Sequence, residues 1–197
     1  DDDVRAGADW FASEFERLGF STEVVKTPGH PVVFAERPAP TPDAPTILYY
    51  GHYDVQPADP LDQWNSPPFE PVIVDDAHGG RIVARGAVDD KGQVMTFIDA
   101  FRAWIETTGG IPVGIKVMLE GEEESGSESL DGFLESHATR LAADVCVVSD
   151  TGMWNAKTPA ITTMLRGMVY VEATIKGPGH DLHSGMYGGA IANPANV

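Results

Sequence analysis

The sequence predicts an α/β fold built on a mostly parallel sheet with helices on both faces. Short runs of β-branched and aromatic residues alternate with longer segments whose apolar residues recur at helical spacing. From Thr46 onward strands and helices alternate, which is the order that produces parallel strands joined by crossover helices. Ligands of such sheets bind at the carboxyl ends of the strands.

The segment before that sheet predicts one helix and two short strands. Residues 4–18 form the helix, because their apolar residues are spaced three or four apart and a glycine follows Leu18. Residues 22–25 and 32–35 have the composition of strands. Four prolines between residues 38 and 45 predict an exposed connector.

The remaining elements follow from the same two patterns. Residues 46–50 predict a buried strand, and the proline-rich and aspartate-rich stretch 57–71 predicts an ordered loop. An amphipathic helix begins at Asp89-Asp90 and ends near Gly109. The other predictions are a hairpin of residues 72–74 and 81–84, a strand over 113–119, a helix over 127–141, and a strand over 144–148 in which Cys146 is expected to be buried.

The pattern changes after Pro159, and we place a domain boundary between residues 160 and 161. Residues 162–175 are rich in apolar side chains, and residues 177–189 are rich in glycine. A helix start at Asn193-Pro194 comes at the very end of the chain. The sequence is therefore expected to be a fragment that stops inside its second domain.

The composition excludes some classes of partner. Thirty acidic residues against 13 basic ones give a net charge of -17, which opposes binding to nucleic acid and to anionic membrane surfaces. No apolar stretch has the length of a membrane span. A single cysteine requires no oxidising compartment, so a cytoplasmic location is expected.

Acidic clusters and one histidine follow the predicted strands. His52 and Asp54 lie two residues apart, so an extended chain presents both on one side. Further carboxylates occur at Asp89-Asp90, Glu122 to Glu124 and Asp150, and together they would repel one another unless cations were bound among them. Imidazole with carboxylates suits zinc, with manganese or cobalt as alternatives. A shared carboxylate can bridge two ions about 3.5 to 4 Å apart.

Each of these motifs also has a simpler interpretation. A histidine and an aspartate two residues apart are common at an ordinary strand end. Asp89-Asp90 could cap the helix that follows, and Glu122 to Glu124 could be a solvated turn. The metal site is favoured because the clusters come in order at the ends of strands of one sheet.

Five segments carry a family resemblance: YGHYDVQP at 50–57, RGAVDDKG at 85–92, LEGEEESGS at 119–127, VSD at 148–150 and DLHSG at 181–185. They resemble the dinuclear zinc peptidase family that includes cytosolic non-specific dipeptidases, carnosinases, aminoacylases, acetylornithine deacetylase and succinyl-diaminopimelate desuccinylase. The similarity is strongest to the dipeptidase branch, and it implies a catalytic metal-binding domain over residues 1–160. Residues 161–197 would then begin a smaller α+β lid and dimerisation domain.

The resemblance implies a role for each site residue. His52 and Asp150 would bind one of two zinc ions, Glu124 the other, and Asp89 would bridge them. Glu123 would be the general base that takes a proton from the attacking water and delivers it to the leaving amine. The expected activity is hydrolysis of the amide bond of dipeptides or short peptides.

Two further residues receive roles from the same resemblance. Asp54 would accept a hydrogen bond from the second ring nitrogen of His52, and His183 would stabilise the oxyanion across the interface of a homodimer. The family also implies a cis peptide between Asp89 and Asp90.

The family completes its second metal site with a distant histidine that has no counterpart in this sequence, so an inactive fragment is one alternative. The others are an N-acyl-amino-acid deacylase or desuccinylase, and a non-catalytic metal-binding or dimerisation module.

Overall fold

The computed structural model describes residues 2–77 and 79–196. It divides into two compact units, one up to Gly152 and one from Met153 onward, and each is described by itself. The boundary predicted between residues 160 and 161 stays a prediction. His78, inside the turn of the predicted hairpin, lies outside the described residues.

The described part of the first unit contains the predicted helices and strands. Its helices are α1 (Asp2–Arg17), α2 (Lys91–Thr108) and α3 (Leu130–Leu141), and its strands are β1 (Ser21–Val25), β2 (Val32–Arg37), β3 (Thr46–His52), β4 (Val72–Val74), β5 (Arg81–Val83), β6 (Gly114–Glu120) and β7 (Val145–Val148). Most ends lie within two residues of the prediction, and the start of α3 differs by three. Strand β3 continues two residues further, to His52, and α3 begins later because Ser127 has a φ of 54°, a left-handed conformation that no α-helix contains.

The main sheet has five strands in the order β1-β2-β6-β3-β7. Strand β3 pairs in parallel with β6 on one side and with β7 on the other, as the alternating order predicted. Strands β1 and β2 extend this sheet in antiparallel fashion. Six residues separate β1 from β2, which is too short for the crossover that parallel neighbours require.

Helices cover both faces of the sheet, which confirms the α/β prediction. On one face, apolar residues of α1 and α2 pack against the sheet, and Phe15 and Ile98 belong to one buried cluster with Val33. On the opposite face, Phe133 of α3 packs with Phe34 of β2. Neighbouring residues of β2 point to opposite faces, as strand geometry requires, so this strand contributes to both cores.

The predicted loop between β3 and β4 is held by specific contacts. The indole of Trp64 donates a hydrogen bond to the Ala58 carbonyl at 2.8 Å, and the Arg85 guanidinium lies 5.2 Å from the centre of the Trp64 ring. The main-chain N–H of Arg85 donates to the Pro68 carbonyl at 2.7 Å. The loop therefore has a fixed conformation beside the end of β3.

Cys146 is exposed, and the prediction that it is buried was wrong. Strand β7 lies at the edge of the sheet and is mostly exposed, so its apolar sequence does not reflect burial on both faces. In the described residues, no helix combines the length and the apolarity that a membrane crossing requires.

The described part of the second unit has little regular structure. It contains one short helix, α4 (Ser184–Tyr187), and a 3-10 turn at Pro194–Asn196. Most of its large apolar side chains are exposed, with Ile161 and Tyr170 at 90% and 88%. The lid and dimerisation domain predicted for residues 161–197 stays a prediction.

Candidate metal centre

The carboxyl ends of the three parallel strands meet at one rim of the sheet. Strand β3 ends at His52, whose register partner is Glu120, the last residue of β6. On the other side, Tyr50 of β3 pairs with Val148, the last residue of β7. The acidic turn after β6 and Asp150 after β7 therefore lie beside His52.

His52 is at the centre of this rim, and its side chain is fully buried. Its Nε2 atom lies 3.1 Å from Oδ1 of Asp89, 3.8 Å from Oδ2 of Asp150 and 3.9 Å from Oε2 of Glu123. On the opposite side of the ring, Nδ1 lies 3.2 Å from the main-chain oxygen of Asp54 and 3.3 Å from its Oδ1. One ring nitrogen thus faces three carboxylates and the other faces Asp54.

Among the residues that the structure describes, two groups of three side chains have the donors to hold a metal ion. One consists of His52, Glu123 and Asp150, and the other of His52, Asp89 and Glu124; within each, the ligand atoms lie within 4.8 Å of one another. Nitrogen and carboxylate oxygen donors fit zinc, manganese or cobalt. The structure thus brings together all four predicted ligands and the predicted base, but it groups Asp150 with Glu123. Which carboxylates share an ion stays a prediction.

The carboxylates change the protonation of their neighbours. Burial alone would lower the pKa of His52, but its hydrogen bond to Asp54 and the nearby negative charges raise that pKa from 6.5 to about 9. Burial, together with the charges of Asp150 and Glu124, raises the pKa of Glu123 despite the opposing effect of His52. In the absence of a cation, both groups therefore hold a proton up to a higher pH than they would in water.

Asp54 connects β3 to the acidic turn that follows β6. Its Oδ1 accepts the main-chain N–H of Glu123 at 3.2 Å, and its Oδ2 accepts that of Glu124 at 3.0 Å. Burial would raise the pKa of Asp54, but hydrogen bonds from His52 and from the N–H of Glu124 outweigh it and lower that pKa. The same carboxylate thus contacts the imidazole and orients the turn that carries two other site residues.

Asp90 holds the main chain of His52. The Asp89–Asp90 peptide bond is cis, as the family resemblance implied. The Asp90 side chain is fully buried, and its Oδ2 accepts the N–H of His52 at 3.1 Å rather than capping α2. A Cβ atom on Gly51 would lie 2.7 Å from that oxygen, so glycine is required for this close approach.

Sequence reasoning missed Glu120, a further buried carboxylate at the rim. Glu120 is 2% exposed and accepts a hydrogen bond from the hydroxyl of Tyr50. Burial and then this bond raise the pKa of Tyr50, so the hydroxyl stays protonated. The signal was a glutamate that ends an otherwise apolar strand, directly opposite His52.

Gln56, two residues after Asp54, was also missed as a site residue. Its side-chain amide donates to the main-chain oxygen of Glu124 at 3.1 Å and to Oε2 of Glu124 at 2.7 Å. Both residues line a cavity of about 1200 Å³ together with Lys91. Burial lowers the pKa of Lys91, while the charges of Asp54 and Asp89 oppose that shift.

His183 belongs to the second unit. Its Nδ1 accepts the main-chain N–H of Gly185 at 3.1 Å, and this contact caps α4. The predicted part of His183 in catalysis across a dimer interface stays a prediction.

Comparison with solved structures identifies the class of fold. The structure of the dipeptidase Dug1p from Saccharomyces cerevisiae is similar to this chain with a TM-score of 0.70 and 30% sequence identity, over 98% of this chain and 43% of that one. The fold is thus that of an α/β domain shared with a dipeptidase.

The chain belongs to Peptidase family M20/M25/M40, whose sequence profile matches residues 48–176. It is 37% identical over 198 residues to the Cys-Gly metallodipeptidase dug1 of Schizosaccharomyces pombe, covering 95% of this chain and 41% of that protein. It is 38% identical over 166 residues to the human Beta-Ala-His dipeptidase, covering 83% of this chain and 32% of the relative. These matches confirm the resemblance to the dipeptidase branch. The chain spans about two fifths or less of the length of these relatives.

Proposed function

We propose that the intact protein is a metal-dependent hydrolase that cleaves the amide bond of dipeptides or short peptides. The observation that carries this proposal is the buried imidazole of His52, whose Nε2 lies within 3.9 Å of three separate carboxylates. Such a cluster is unfavourable unless protons or cations neutralise it. Relatives named as Cys-Gly and Beta-Ala-His dipeptidases support the choice of substrate.

The residues of the rim would hold two divalent cations, with zinc as the expected metal and manganese or cobalt as alternatives. His52 and Asp150 would bind one ion, Glu124 the other, and Asp89 both. The donor set of one imidazole and several carboxylates supports this assignment. Bound cations of this kind polarise a substrate carbonyl and lower the pKa of water.

Glu123 would move the proton. Its side chain is 37% exposed, so water and substrate can reach it, and its raised pKa suits a group that both accepts and returns a proton. It would take a proton from the water that attacks the peptide carbonyl and deliver it to the amine that leaves. Asp54 would keep the proton of His52 on Nδ1, so that Nε2 stays available as a metal ligand.

Residues 1–160 would form a catalytic domain, and residues 161–197 would begin a lid domain through which two copies form a homodimer. The exposed apolar side chains between Ile161 and Val171 support this interface. His183 would contact the oxyanion in the partner's site. A cytoplasmic location is part of the proposal, and the single cysteine supports it.

The proposal is tested by assaying the intact protein on Cys-Gly and β-Ala-His dipeptides before and after treatment with a chelator. We expect hydrolysis that the chelator abolishes and added Zn²⁺ restores. Activity that does not respond to chelation would contradict the proposal. N-acyl amino acids belong in the same assay, because preferential cleavage of these would identify a deacylase, and metal binding without any hydrolysis would identify a non-catalytic module.

A further inference from the structure

We propose that Gln56 is a positioning residue that fixes Glu124 in the orientation needed to bind a metal ion. The inference rests on the role given to Glu124 in the proposed function. Gln56 lies in the segment after β3. It would not contact a cation itself and would act through the carboxylate of Glu124.

The contact between the two residues is double. The Nε2 group of Gln56 carries two hydrogens, and it lies 3.1 Å from the main-chain oxygen of Glu124 and 2.7 Å from its Oε2. The main-chain N–H of Glu124 is held by Oδ2 of Asp54 at 3.0 Å. Glu124 is thus fixed at its amide, its carbonyl and its carboxylate, and rotation of the side chain would break the shorter of the two bonds to Gln56.

The neighbouring carboxylate is not held in this way. Glu123 shares the 3-10 turn at Glu123–Ser125, and Asp54 accepts its main-chain N–H. Within residues 2–77 and 79–196, however, no hydrogen bond to the Glu123 carboxylate is present, and His52 lies 3.9 Å from it. Gln56 therefore distinguishes two adjacent glutamates: it immobilises the proposed ligand and leaves the proposed base free to move.

Gln56 can hold another side chain because its own main chain is anchored. The carbonyl of Pro57, the next residue, accepts a hydrogen bond from Nη2 of Arg85 at 3.1 Å. Arg85 is fixed in turn by Trp64 and by the carbonyl of Pro68. The rigid loop after β3 thus supports the amide that orients Glu124.

A partner that orients a ligand in this way changes metal affinity by about 10- to 100-fold when it is removed. The test compares Gln56→Glu and Gln56→Ala in the intact protein. Gln56→Glu keeps the size of the side chain but replaces the donor with a negative charge that repels Glu124. Gln56→Ala removes the amide without adding charge.

Gln63→Glu is the matched control, because Gln63 is exposed and, in the described part of the chain, its side chain makes no hydrogen bond. Zn²⁺ affinity is measured by competition with a chromophoric chelator, and the coordination by the absorption spectrum of the Co²⁺-loaded protein. Urea unfolding of the metal-free variants verifies that they are folded.

We expect Gln56→Glu and Gln56→Ala to weaken binding of the second Zn²⁺ ion by about 10- to 100-fold, with an altered Co²⁺ spectrum, and Gln63→Glu to match the wild type. Unchanged affinity and spectrum in both Gln56 variants would overturn the inference alone. An equal loss of Zn²⁺ affinity in Gln63→Glu would also overturn the inference, because the added negative charge alone would then explain the effect. A wild-type protein that binds no Zn²⁺ would overturn the proposed function and this inference together.

Discussion

Oδ1 of Asp54 lies 3.3 Å from Nδ1 of His52 and also accepts the main-chain N–H of Glu123. This oxygen therefore influences both the tautomer of the imidazole and the position of the acidic turn. With the proton of His52 on Nδ1, the lone pair of Nε2 points toward the carboxylates of the rim.

Asp54→Asn should weaken metal binding and destabilise the fold. The amide has one acceptor oxygen instead of two, so a bond to the turn is lost and an N–H group faces another donor. We expect Zn²⁺ affinity to fall by about 10- to 100-fold and the free energy of unfolding to fall by about 1 to 3 kcal/mol. Chelator competition and urea unfolding measure the two effects. Asp62→Asn, at an exposed position in the loop, should change neither.

Glu123→Gln should separate catalysis from metal binding. Glutamine cannot accept the proton of the attacking water, so we expect kcat to fall by about 10²- to 10⁴-fold. The metal content, measured by elemental analysis, should stay at the wild-type value. Glu124→Gln is the comparison, and it should lower metal content. Loss of an ion in Glu123→Gln would contradict this prediction. It would mean that Glu123 binds a metal ion together with His52 and Asp150.

The metal-free protein should become less stable as the pH rises from about 6.5 to 9.5. The pKa of His52 is raised from 6.5 to about 9, so the folded state binds a proton that the unfolded state releases above pH 6.5. The stabilisation is fully present below pH 6.5 and is lost as the pH rises through about 9. The expected loss is roughly 3 kcal/mol.

Urea unfolding at several pH values, in the presence of a chelator, measures this loss. His52→Gln carries no titrating ring and should show a much smaller decrease over the same interval. A wild-type curve that is flat between pH 6.5 and 9.5 would disprove the raised pKa.

Gly51→Ala should destabilise the protein through overpacking. The added methyl group would lie 2.7 Å from Oδ2 of Asp90 and 3.0 Å from Cγ2 of Val94. We expect a loss of about 1 to 3 kcal/mol in the free energy of unfolding. Gly132→Ala is the matched control, because a methyl group there meets no atom within 4 Å and lies in α3. That change should be neutral or stabilising by up to about 1 kcal/mol.

The parts of the fold that depend on local pattern could be predicted from the sequence. The spacing of apolar residues located α1 and α2, and the position of His52 after a β-branched run located the rim of the sheet. The antiparallel addition of β1 and β2 beside β6 was not predicted, because strand order depends on which edges meet in three dimensions. The exposure of Cys146 could not be predicted for the same reason, because a short apolar strand has the same sequence pattern at the centre of a sheet and at its edge.

Within the site, the residue types and the contact of Asp54 with His52 were predictable, but other contacts were not. The carboxylates were found because acidic residues rarely follow several strands of one sheet by chance. The double hydrogen bond from Gln56 to Glu124 joins residues 68 positions apart and depends on the conformation of two loops. From the sequence, Asp90 could be interpreted as a helix cap. Its hydrogen bond with the N–H of His52 could not be predicted, because it depends on the close approach that Gly51 allows.

The two ends of β3 should differ in how well they tolerate a change in chain length. At its amino end, Thr46 exchanges hydrogen bonds with Asp144 just before β7, and the proline-rich connector enters from outside the sheet. At its carboxyl end, the spacing between Gly51 and Gln56 determines which atoms meet. Homologous chains should therefore tolerate insertions and deletions before residue 46. A single residue gained or lost between 51 and 56 would displace both the N–H of His52 from Asp90 and the amide of Gln56 from Glu124.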